Sequence, residues 1–78
     1  MKPGQEEQYQ IAKIFNHSVY YQKNAKAGID YLQYDLDSSE SRVFFDQARI
    51  RGKADFEDDK EGQFTLDYQN NKYFLIKR

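Results

Sequence analysis

Cysteine and tryptophan are missing from this chain of 78 residues, and histidine and proline occur once each, as His17 and Pro3. Without cysteine there are neither disulfides nor thiolate metal ligands. With one imidazole, a structural zinc site would have to be built almost wholly from carboxylates. A hydrolytic triad would likewise rest on His17 alone, in Asn16-His17-Ser18, where no Gly-x-Ser-x-Gly elbow surrounds the serine. The four glycines stand isolated at positions 4, 28, 52 and 62, which removes phosphate-cradling loops and leaves turns or caps. No apolar run nears the roughly 18 residues of a membrane span. The opening MKPGQEEQYQ also lacks the apolar centre of a signal peptide, so the expectation is a cytoplasmic protein. Twelve basic residues against 13 acidic ones give a net charge of −1, so no global field steers the molecule to nucleic acid or an anionic membrane.

Small domains of about 70–80 residues draw only roughly 3–5 kcal/mol from a single core, and often add disulfides, a metal or self-association. The first two are excluded here, which leaves oligomerisation or a partner. Seven Tyr and six Phe against two Val and four Leu mark a folded, aromatic-rich chain. We expect one domain over residues 1–78, with 1–4 as a flexible N-terminus.

The clearest instruction lies in Gln63 to Arg78 (QFTLDYQNNKYFLIKR). Two strand-like runs flank Asn70-Asn71, and asparagine accepts the positive φ of a two-residue type I′ turn. That loop sets Tyr68 opposite Tyr73, Leu66 opposite Leu75 and Phe64 opposite Lys77 on a core face. Thr65 with Ile76, Asp67 with Phe74 and Gln63 with Arg78 fall on the other face. A three-residue loop, Lys60-Glu61-Gly62 with a left-handed Gly62, would pair the preceding strand so that Phe56 faces Leu66 and Ala54 faces Tyr68.

Nearer the N-terminus, Pro3, Gly4 and the acidic residues after them resemble a helix start, and Ile11, Ile14, Phe15 and Val19 recur at helical spacing. The reading is a helix over Gln5–Phe15 and a strand over His17–Lys23, with a longer helix capped at Gly28 as the alternative. Ile29–Asp37 alternates with period two and reads as a strand. For the next segment two readings compete: a helix with Asp37 as cap, Glu40 as its capping-box partner, a stripe of Val43, Phe44, Gln47 and Ala48, and Gly52 as stop, or a strand over Arg42–Arg51. The strand is preferred, because that stripe would leave Phe45 and Ile50 outside. The expected fold is therefore α+β, an N-terminal helix on an antiparallel meander sheet of four to five strands, with a small closed β-barrel as the alternative.

Chemistry is sparse. Asp55 to Glu61 places acidic residues as a calcium loop does, but the sixth position is Lys60 and the twelfth Leu66 where that loop needs Gly and Glu. Neither catalytic residue, metal nor cofactor is expected, and the chain reads as no enzyme. Arg49, Arg51 and Lys53, at alternate positions of a strand, would form a short basic row beside aromatics, the basis for a nucleic-acid-binding alternative. The leading reading comes from the doublets Tyr20-Tyr21, Phe44-Phe45 and Tyr73-Phe74, because neighbours on a strand point to opposite faces. It assigns Tyr20, Tyr21, Phe45, Phe74 and Ile76, extended by Val43, to a second apolar face that binds a protein partner or a second copy. Small inhibitors, adaptors and immunity-type proteins are the corresponding class.

Overall fold

The computed structural model describes residues 9–78. The expectations for residues 1–4 and for the first residues of the N-terminal helix lie outside this range. Where the helix was to continue, the chain forms a strand, β1 (Gln10–Ile14), which turns at Phe15-Asn16 into β2 (His17–Tyr21). Both turn residues have positive φ, 46° and 75°, so this is a two-residue hairpin of the same kind as the one predicted at Asn70-Asn71. The helical spacing is a coincidence of strand alternation: Ala12 and Ile14 turn inward, while Ile11 and Phe15 are exposed.

The chain then crosses the sheet as a continuous helical run, a 3₁₀ turn (Lys23–Ala25), a short α-helix α1 (Lys26–Asp30) and a π turn (Tyr31–Asp35). The strand expected over Ile29–Asp37 does not form. Ala25, Gly28, Ile29 and Leu32, spaced three and four apart, are the buried stripe, whereas Tyr34, which the alternating pattern placed with Leu32, is 73% exposed. Gly28 is neither cap nor turn. A Cβ there would lie 2.8 Å from Phe64 Cδ1 and 2.9 Å from Leu75 Cδ2, so the missing side chain is what lets the helix settle on the sheet.

Helix α2 (Ser38–Arg51) replaces the preferred strand over Arg42–Arg51. Its ends are those of the helical alternative: Asp37 Oδ1 accepts from Glu40 N at 2.9 Å, Glu40 Oε1 accepts from Asp37 N at 2.9 Å, and Gly52 stops the helix at φ 91°. The stripe differs from the one expected. Ser41, Phe45 and Ala48 point inward, so Phe45 is buried without a strand, and Val43 and Ile50 face outward. The Ser41 hydroxyl donates to the Leu32 carbonyl, tying α2 to the preceding π turn.

Three further strands, β3 (Lys53–Glu57), β4 (Gln63–Gln69) and β5 (Lys72–Lys77), form the meander. The β4–β5 register is the one read from the sequence, from Phe64 opposite Lys77 to Gln69 opposite Lys72. In the β3–β4 pair, Phe56 faces Phe64 and Ala54 faces Leu66, a slip of two residues from expectation. Asp58 is the reason: its carboxylate accepts the N–H groups of Lys60 at 2.9 Å and Gly62 at 2.7 Å, moving the three-residue loop one position earlier, to Asp59-Lys60-Glu61, where Glu61, not Gly62, takes positive φ. Because the slip is even, every side chain keeps its face.

The sheet order is β1-β2-β5-β4-β3, with β2 and β5 parallel and all other pairs antiparallel. It is open and mixed, not a closed barrel and not wholly antiparallel, and its helices follow the first hairpin instead of preceding it. Both helices lie on one face, where Phe45 meets Tyr73 edge-on at 4.9 Å and Tyr31 and Phe44 meet Phe56 at 5.8 and 5.2 Å. No helix among the described residues is long and apolar enough to cross a membrane. Two substitutions separate the packing constraint from the cap: Gly28→Ala forces two buried side chains apart and should cost about 1–3 kcal/mol, and Asp37→Ala about 1 kcal/mol. Urea unfolding should show both as lowered midpoints at unchanged slope.

Candidate functional site

The helices pack on one face of the sheet, and among the described residues no element covers the other. Strand alternation sends Ile11, Tyr20, Phe74, Asp67 and Lys53 to that face, and the registers align these five residues as one row across all five strands. Three of the five are apolar or aromatic and two are charged. Beside it runs Ile76 opposite Thr65, which faces Asp55. Tyr9 meets the Phe74 ring edge-on at 5.6 Å, the Tyr20 and Phe74 rings are 5.4 Å apart, and Lys72 Nζ lies 5.6 Å from the centre of the Tyr20 ring. Ile11 is 61% exposed, Ile76 44% and Tyr9 43%, a contiguous apolar patch on β1, β2 and β5.

Of the residues assigned to this face from the sequence, Tyr20, Phe74 and Ile76 are brought together on it. Tyr21 and Phe45 are not. Tyr21 points toward the helices and donates its hydroxyl to Gln10 Oε1 at 3.0 Å, and Phe45 is fully buried on α2. Val43 is exposed, but on α2. Tyr9 and Ile11 were missed because the helical reading claimed them; the signal that could have found them is Asn16, which permits a two-residue turn between flanking strand formers.

The basic row does not form. Arg49 and Arg51 sit in the last turn of α2, where they complement the helix dipole, Arg49 contacts Asp46 at 3.2 Å, and Lys53 alone lies on the sheet. Two positions apart on a helix, the arginines point to different sides. His17 is structural as well: its ring stacks on that of Phe45 at 4.1 Å with nearly parallel planes, and Nδ1 lies 3.3 Å from the Ile14 carbonyl oxygen. A recess of about 170 Å³ beside it is lined by Phe15, Ser38, Ser39, Ser41 and Arg42, and a second, of about 310 Å³, by acidic residues and two tyrosines. Among the described residues no cluster of three or more His, Asp or Glu is arranged to hold a metal ion.

No protein family, curated protein or solved structure matches this chain. Its chemistry is therefore read from the geometry alone.

At the polar end of the face the Thr65 hydroxyl donates to Asp55 Oδ1 at 2.7 Å. That bond, foremost, and then the charges of Arg78 and Lys53, hold the Asp55 carboxyl below its ordinary value of 3.8 against a desolvation effect in the opposite sense. A depressed folded pKa stabilises above the unfolded value, and the contribution fades as pH falls through the folded one. Thr65→Val should raise the Asp55 pKa toward 3.8 in a carboxyl NMR titration. The thermal stability gap between variant and native protein should narrow as pH drops below that value.

Proposed function

We propose that this chain is a non-enzymatic binding module that associates stoichiometrically with a protein partner, in the cytoplasm, through the apolar half of the open sheet face. The observation that supports this most is the row Ile11-Tyr20-Phe74, flanked by Tyr9 and Ile76 on a face that no helix among the described residues covers. The covered face already supplies the core, so aromatic side chains on the other face have no packing role that requires them. Contiguous apolar patches on the surface of small proteins mark interaction sites, and Tyr and Phe are enriched at the centres of interfaces. The charged half on β3 and β4 would supply the polar rim that sets orientation. An inhibitor, adaptor or immunity-type role fits a module that works by occupancy rather than by chemistry. The nucleic-acid alternative loses its strand-borne row, since Arg49 and Arg51 lie on α2 and Lys53 on β3.

Ile76→Asp and Phe74→Ser should leave the circular dichroism spectrum unchanged while abolishing retention of partner proteins on an immobilised column. Val43→Asp, at an exposed apolar site on α2, should retain them as the native protein does. Equal retention by all four proteins would overturn the reading. Labelled oligonucleotides should show no salt-sensitive binding in anisotropy titrations; such binding would replace partner association as the working function.

A further inference from the structure

The two edges of the sheet differ in how they are protected. In a two-residue hairpin the flanking residues exchange both main-chain hydrogen bonds, so Ile14 pairs in this way with His17, and Ala12 and Gln10 follow with Val19 and Tyr21. Ile11 and Lys13 then direct their N–H and C=O groups away from the sheet. Consistent with this parity, Gln33 Nε2 donates to the Lys13 carbonyl at 3.3 Å from outside the ladder, leaving that oxygen a second lone pair. At the opposite edge, the same alternation turns the main-chain groups of Lys53, Asp55 and Glu57 outward.

From these edges we infer that β1 is a self-association strand: two copies pair β1 against β1, antiparallel, about a two-fold axis at Ile11, to give one ten-stranded sheet. The proposal goes beyond the open-face reading, because main-chain groups at the edge carry it, and either can fail alone. Self-pairing at Ile11 sets the two exposed isoleucines directly opposite each other. Self-pairing of β3 about Asp55 would instead oppose two carboxylates, a like-charge contact. Pairing β1 with β3 of another copy would press Ile11 against charged side chains, and being head-to-tail it makes no two-fold dimer. The β1 junction is closed and free of charge conflict. Across it the apolar row runs on without a break, Phe74-Tyr20-Ile11 in one copy and Ile11-Tyr20-Phe74 in the next, so two half-faces become one.

The chain has no cysteine, which makes Ile11→Cys a clean probe: opposed residues in a hydrogen-bonded antiparallel pair have Cα atoms about 5.5 Å apart, within the span of a disulfide. Under mild oxidation this variant should form the covalent dimer at least an order of magnitude faster than Val43→Cys, whose site is equally exposed on α2. Sedimentation velocity of the native protein should show a concentration-dependent dimer, absent in Ile11→Lys, which places two ammonium groups together at the axis, and retained in Ile76→Asp. Equal crosslinking of the two cysteine variants, a native protein that stays monomeric at every concentration, or a dimer lost in Ile76→Asp but kept in Ile11→Lys would each overturn the proposal. The last result would move self-association to the open face.

Discussion

Strand β5 is hydrogen-bonded on both sides, antiparallel to β4 and parallel to β2, and its Leu75 is buried beneath Gly28 of the helical run. Everything else depends on that placement. Among the described residues the β1–β2 hairpin has no other neighbour in the sheet, and an isolated two-stranded hairpin is marginal in water. The helices have no other surface against which to bury Ala25, Ile29, Leu32, Phe45 and Ala48. Gly28 sets the distance between the layers, because the two side chains that a Cβ would strike, Phe64 and Leu75, belong to β4 and β5.

A one-sided core follows from this arrangement and defines the candidate site. With both helices on one face, alternation along every strand supplies a second set of side chains that folding does not use. On β3 and β4 that set is charged and hydroxylic, the ordinary composition of a solvated face. On β1, β2 and β5 it is aromatic and branched, and the change falls between Phe74 and Asp67, neighbours in one row. The patch is thus bounded on one side by a polar half-face and on the other by β1, the outermost strand among the described residues.

How much of this was legible in the sequence depended on whether a local device fixed the geometry. Asn70-Asn71 fixes a loop length, the loop fixes the register, and the faces of Tyr68, Tyr73, Phe74 and Ile76 follow without tertiary information. The capping box at Asp37 and Glu40 and the stop at Gly52 were equally readable, yet the stripe between them was centred on the wrong residues. Phe44-Phe45 and Val43 give several rotations of nearly equal apolarity, and only packing against Tyr73 and His17 chooses Phe45. Phe15-Asn16 hid the first hairpin because phenylalanine is a poor resident of positive φ, while Ile11, Ile14 and Phe15 happened to satisfy a helical template. Over Ile29–Asp37, Leu32, Tyr34 and Leu36 imitate a strand, and the helical stripe that prevails begins at Ala25, upstream of the apparent element. At the candidate site, Tyr20 could not be told from Tyr21 until the register of β2 was known. Ile11 was invisible for as long as β1 was read as helix.

The parallel pairing of β2 with β5 joins residues more than fifty positions apart, Val19 with Tyr73 and Tyr21 with Leu75. Such a contact closes late, since loop-closure entropy must be overcome before any hydrogen bond is gained. On the ribosome the first hairpin and both helices emerge before the strand that unites them, so the hairpin and the apolar underside of α1 stay without β5 until Lys77 has been made. For a chain this rich in exposed aromatics, that interval of synthesis, more than the finished structure, is when unwanted association with other nascent chains is most favoured.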